Sequence, residues 1–254
     1  MSSVSSVSSA SAYSAYSTIA SGGTYTKAAD GATELAIQEK TESQVTGLEA
    51  GSDNLTSAKS ALNIEDGALE SIQDYLQSIK ELAIQAKNGT LSDDDKQAIQ
   101  SQIEQYKQGI NDIANNTTYN EKNLLNNEGS LEVASDGSGS SETVSTYNSL
   151  TEQLGIADLD VTGDYDLSTI DDAIDMVSSQ RSTAGSQTNA VDYALTYNSH
   201  AALELDGYQM DKEEDNSIKA YQELKTKQAL DIYQNTLQRK QMDDQEQQSL
   251  SLFA

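Results

Sequence analysis

Proline, cysteine and tryptophan are absent from this 254-residue chain, and phenylalanine and histidine occur once each. Without proline nothing covalent interrupts a helix, so very long helices are open to it. Without cysteine there is no disulfide framework, thiolate metal site or cysteine nucleophile. The lone His200 cannot form a histidine cluster, so most hydrolytic and zinc chemistry lacks its components. Basic residues are also few: 15 against 41 acidic, for a net charge of −26. Such a field repels phosphate backbones and anionic bilayers, which argues against nucleic-acid and membrane partners. No run approaches about 18 apolar residues. Met1–Ser21 carries neither the basic nor the apolar segment of a secretory signal, so export would have to read something else. Hydrophobic residues make up only 36% of the chain, yet they recur periodically, which points to helical packing rather than disorder.

The strongest period runs from Ala28 to Asn88. Leu48, Leu55, Leu62, Leu69 and Leu76 are spaced by seven, with Ala83 next, and Ala58, Ile72, Ile79 and Ala86 fall three residues after members of that series. This is an a/d seam, interrupted by Gly51 and Glu65. At about 1.5 Å per residue such a helix would be roughly 90 Å long. Its seam must be covered by other helices of the same chain or of neighbouring copies. Asn88-Gly89 is a C-terminal stop, and Ser92-Asp93-Asp94-Asp95 opens the next helix with an N-cap and an acidic first turn. Ile99, Ile103, Tyr106, Ile110 and Ile113 form its seam, so the two helices make an antiparallel hairpin.

Elsewhere the signals are weaker. Met1–Ser17 is a Ser/Ala/Tyr tract read as a disordered leader, followed by a turn at Ser21-Gly22-Gly23-Thr24. From Asn115 to Glu132 the helical period disappears and a short β-hairpin is expected, with Ser135–Ser145 as a Gly/Ser-rich loop at the far end of the rod. Asp158–Asp166 sets acids near EF-hand offsets, but Thr169 stands where the bidentate glutamate belongs, so the stretch reads as an acidic turn. Ser168 is the expected N-cap of a third helix, whose seam continues through Val191, Leu195, Asn198, Ala202 and Leu205. His200 lies just off it. The last segment, 211–253, is helical by propensity and polar, with a thin stripe of Ile218, Tyr221, Leu224, Ala229, Ile232, Tyr233 and Leu237.

The fold class predicted is mainly all-α: an elongated antiparallel helical rod or coiled-coil bundle with a short β-hairpin. The expected order is a leader and turn over 1–27, one half of the rod over 28–130, a variable region over 131–167, the returning half over 168–206 and a final helix over 207–254. The packing seam is Leu48, Leu55, Leu62, Leu69, Leu76, Ile103, Tyr106 and Ile110. No catalytic, cofactor-binding or metal-ligating set is expected.

Several stretches resemble bacterial flagellin, the subunit of the flagellar filament. KAADGATELAIQEK (Lys27–Lys40) resembles the family's SAADDAAGLAISEK, with Gly31 and Glu34 as departures. EDGALESIQDYLQSIKELAIQAKNGT (Glu65–Thr90) is similar to the stretch ending RELAVQAANGT. Ile113–Asn120, with Leu124 and Leu125, resembles IA..T.FNG..LL, and VSSQRSTAG (Val177–Gly185) resembles VSSQRA.LGA. Ser249–Leu252 resembles the apolar C-terminus. The likeness covers about three quarters of the chain. It implies a rod whose two chain ends form the inner tube of an extracellular filament, export through the flagellar secretion apparatus, and an export chaperone docking on the C-terminal helix. Two departures stand out: only 27 residues precede Ala28, and the C-terminal helix is polar, with Lys225, Lys227, Arg239 and Lys240. A non-polymerising, flagellin-like interaction protein is the alternative. The resemblance also implies O-linked glycosylation at Ser138–Ser145 and a host innate immune receptor reading Ser78, Lys80, Glu81 and Leu82, weakened because Ser78 stands where the family has a basic residue.

Overall fold

The computed structural model describes residues 13–252. The order of elements is a helix over 13–20 (α1), α2 (Ala28–Ala86), α3 (Asp93–Asn116), strands β1 (Thr118–Tyr119), β2 (Lys122–Asn123), β3 (Asn126–Ala134) and β4 (Ser141–Asn148), and α4 (Ser168–Leu252). The protein is therefore mainly α-helical with short antiparallel hairpins. It divides into two compact units, Thr46–Ala201 and the pair of segments Met1–Val45 and Ala202–Ala254.

In the unit Thr46–Ala201, α2 and α4 run antiparallel, because their cross-links descend one helix as they climb the other: Lys59 to Asp192 at 2.6 Å, Asp66 to Arg181 at 2.9 Å, and Lys80 to Asp171 at 2.5 Å. The α2 seam splits between two cores. Leu69, Ile72, Leu76 and Ile79 pack with Ile99, Ile103 and Ile110 of α3 and with Ile170, Ala173 and Val177 of α4. Leu55 and Leu62 instead pack with Val144 of β4 and Ala184 and Val191 of α4. At the turn between α2 and α3, Ser92 accepts from Asp95 N–H and the Asp95 carboxylate accepts from Ser92 N–H, a reciprocal capping box. Gln100 of α3 ties down the 157–161 segment, donating to the Leu159 carbonyl and accepting from Val161 N–H.

The non-helical region forms two hairpins. β1 pairs with β2, turning through Asn120 and Glu121 at positive φ, and β3 pairs with β4 over Asn126–Ala134 and Ser141–Asn148. This corrects the expected loop: only 135–140 is a turn, and 141–145 belongs to β4, with Val144 buried. The turn is not a free end either. The Asn198 side chain of α4 donates to the Ser135 carbonyl at 2.7 Å, and Gly137 lies against Gly47. A second correction concerns α4. Its first amide, Ser168 N–H, is satisfied by the Asp166 carboxylate, so Asp166 rather than Ser168 supplies the cap. The helix then continues without a break to Leu252.

The other unit differs in kind. Residues 13–20, the end of the expected disordered leader, are helical, with Ala15 and Thr18 buried; residues 1–12 lie outside the described part. The 21–24 turn meets α4 closely, since a Cβ on Gly23 (φ 98°) would lie 1.8 Å from the Glu213 carbonyl oxygen. Asn216 donates to the Gly23 carbonyl and Thr24 to the Glu213 carboxylate. Gly31 takes an extended conformation inside α2 (φ 169°). Among the described residues the buried apolar side chains of this unit are Ala15 and Ala220 alone.

Candidate assembly surface

The seam residues are placed as follows. Leu55, Leu62, Leu69, Leu76, Ile103 and Ile110 are fully buried, Leu48 is half-buried, and Tyr106 is half-buried and stacked on Tyr75 with ring centroids 5.5 Å apart. They therefore lie inside the unit Thr46–Ala201. At the start of α4, Thr169 Oγ1 donates to the Asp166 carbonyl. Asp160 accepts from Thr162 N–H and Oγ1, so this acidic stretch closes on its own backbone as an Asx turn. Among the described residues no group of three or more potential metal ligands converges.

Ser78 is half-buried and its hydroxyl donates to the Asp74 carbonyl one turn earlier. Lys80 is committed to Asp171, Glu81 is exposed, and Leu82 packs half-buried against the core. The face offered there is thus one free acid flanked by a paired lysine and a small hydroxyl. Around the 135–140 turn, hydrogen bonds from Ser140 and Ser138 hold the Asp136 carboxyl well below the usual carboxylate range, which fixes the turn at neutral pH. Ser138, Ser140 and Ser141 are exposed.

Most of the exposed apolar surface is in the other unit. Of the eighteen large apolar side chains exposed among the described residues, thirteen belong to it. On α4, Ile218 is 48% exposed, Tyr221 54%, Ile232 68% and Tyr233 62%. An amphipathic helix normally hides its apolar stripe, and among the described residues of this unit only two alanines are buried apolar side chains, so these leave the stripe open. The same stretch is locally basic: Ile218–Lys240 holds five lysine or arginine residues against two acids, in a chain of net charge −26. The thin stripe in a polar helix already reads as a face awaiting a partner surface, and the exposures agree. Tyr193 and Tyr197, exposed at 78% and 66%, were not singled out by sequence, because their spacing of four resembles a seam. No helix among the described residues is long and apolar enough to cross a membrane.

Comparison with known proteins shows what the chain is similar to. A family model described as the bacterial flagellin N-terminal helical region matches residues 1–130. The flagellar filament core protein flaB2 of Brachyspira hyodysenteriae is 37% identical over 123 residues, 46% of this chain and 43% of that protein. A flagellin of Bacillus subtilis is 28% identical over 217 residues, 70% of this chain and 71% of that one. The crystal structure of Bacillus cereus flagellin aligns with a TM-score of 0.51 and 28% identity, covering 57% of this chain and 88% of the other. The matched part of this chain spans less than half the length of the Brachyspira relative.

Proposed function

Because the chain belongs to the bacterial flagellin family, we propose that it is a structural subunit of the extracellular flagellar filament and acts by packing against copies of itself, not by catalysis. The observation that carries this reading is the concentration of exposed apolar side chains in a unit whose described residues bury only two alanines among the apolar ones. Burying one isoleucine or leucine contributes about 1.5–3 kcal/mol, whereas association costs about 4–15 kcal/mol, so several stripe residues must be covered together. That condition suits repeated contacts in a polymer. Electron microscopy and sedimentation of the purified protein test it: polymers are expected from the wild type and none from Ile232→Asp/Tyr233→Asp. The double variant should keep the melting profile of the wild type, since both side chains are exposed in the single chain. Wild-type protein that stays monomeric across assembly conditions would favour the alternative, a flagellin-like interaction protein.

Export by the flagellar apparatus and docking of a chaperone on the α4 stripe by helix-in-groove contact belong to the same reading. So does weakened recognition by a host flagellin receptor. An arginine offers a planar fork and an apolar stem, whereas the Ser78 hydroxyl is turned back to the Asp74 carbonyl. Regaining such a hot-spot side chain is worth about 2 kcal/mol, or roughly thirtyfold in affinity. Reporter cells should therefore respond more strongly to Ser78→Arg than to the wild type; equal, strong responses would refute this reading.

A further inference from the structure

Three buried polar atoms among the described residues have no hydrogen-bond partner: both carboxyl oxygens of Glu65 and the hydroxyl of Tyr147. Glu65 is fully buried on α2, within one helical turn of the core residues Ala61, Leu62 and Leu69. Tyr147 lies on β4, beside the hydroxyls of Thr183 on α4 and Ser145 on β4, and the two groups bear on each other electrostatically. An ionised carboxylate without a partner in such a place is far more costly than a neutral acid. The cations of α2 and α4 on this side are engaged with other groups: Arg181 of α4 bonds Asp66 and Gln73 and lies 3.6 Å from Glu70, and Lys59 of α2 pairs with Asp192. The groups that bear on Glu65 are thus Asp66 on its own helix and the neutral phenol of Tyr147 on β4, while Arg181 is engaged by Asp66, Gln73 and Glu70.

We propose that Glu65 is a proton-operated latch: it is held as a neutral acid where α2, β4 and α4 meet, and its ionisation loosens the β3–β4 hairpin from the two helices. Burial first, and the neighbouring Asp66 charge second, push its carboxyl up to about 8 from an ordinary 4.5. Below about 4.5 the group is protonated in both folded and unfolded chains. Between 4.5 and 8 the unfolded chain loses the proton and the folded one keeps it, so stability falls as pH rises, by about tenfold in the folding constant per pH unit. Above about 8 the folded carboxyl is ionised too and the loss is complete.

Denaturation midpoints of the full chain at pH 5, 6.5, 8 and 9 test this, with the wild type set against Glu65→Gln and, in case an orphan amide prevents folding, Glu65→Leu. Acids that do not feel the Glu65 charge contribute equally to all three proteins and cancel in the difference, leaving Glu65 with its smaller coupling to Asp66. The folding constant of the wild type relative to either variant should drop by about tenfold per unit up to pH 8 and then level off. Hydrogen exchange locates the change: in the wild type alone, protection of β4 amides should fall relative to α3 amides between pH 6 and 8.5. Parallel pH curves would overturn the proposal, and so would a slope without relative loss of protection in β4.

Discussion

A single missing carbon governs how the hairpin meets α2. Gly51 stands on the leucine seam, and a Cβ there would lie 2.0 Å from the Ser135 carbonyl oxygen and 2.5 Å from its carbon. Both atoms are backbone, so no rotamer change relieves the contact. The same carbonyl accepts the buried Asn198 amide at 2.7 Å, so moving it aside also strands a buried polar pair. Gly51→Ala is therefore expected to destabilise Thr46–Ala201 by about 1–3 kcal/mol, the usual cost of overpacking. Gly67, on the same helix with nothing within 4 Å of an added Cβ, is the control. Gly67→Ala should stabilise by up to about 1 kcal/mol through helix propensity alone. Opposite shifts in the urea midpoint are the expected result; two shifts of the same sign would show that the Ser135 contact is not what holds Gly51.

At the scale of elements, the helices were legible wherever apolar period and cap chemistry agreed. α3 is the clearest case: its isoleucines step by four and three, and Ser92 and Asp95 sit at the spacing of a capping box that does form. The limits of legibility have physical causes. β4 is written in serine, threonine and glutamate, so composition reads as loop; only Val144 and Thr146 are buried, on one face of the strand. α1 has too little apolar content to form alone, and its order follows from burial of Ala15 and Thr18 and from the turn that seats Gly23 against Glu213. Gly185 and Gly207 do not end α4, because each costs only about 1 kcal/mol and neither adopts the positive φ of a helix-ending glycine. On the seam, Glu65 read simply as an imperfection. Whether a polar residue there is bonded, exposed or stranded is a tertiary fact that no spacing carries.

Charge decides what the whole molecule can do in solution. Two copies each carrying −26 repel at long range, yet the stretch Ile218–Lys240 is locally positive, with five bases against two acids around exposed Ile232 and Tyr233. The two effects differ in reach. Repulsion between whole molecules acts over the Debye length, about 30 Å at 0.01 M salt and about 8 Å at 0.15 M, whereas a lysine or arginine of one copy beside an acid of another acts within a few ångströms. Raising salt from 0.01 to 0.15 M therefore removes most of the opposition while leaving contact pairs largely in force. Near 1 M, where the length is about 3 Å, those pairs are screened too and the apolar contacts remain. Self-association measured by light scattering should rise steeply between 0.01 and 0.15 M salt and change much less from there to 1 M. A Lys225→Glu/Lys227→Glu variant should associate less than the wild type at 0.15 M, with the difference shrinking at 1 M. Association strongest at the lowest salt would mean that attraction between unlike patches, not apolar burial under screened repulsion, holds the copies together.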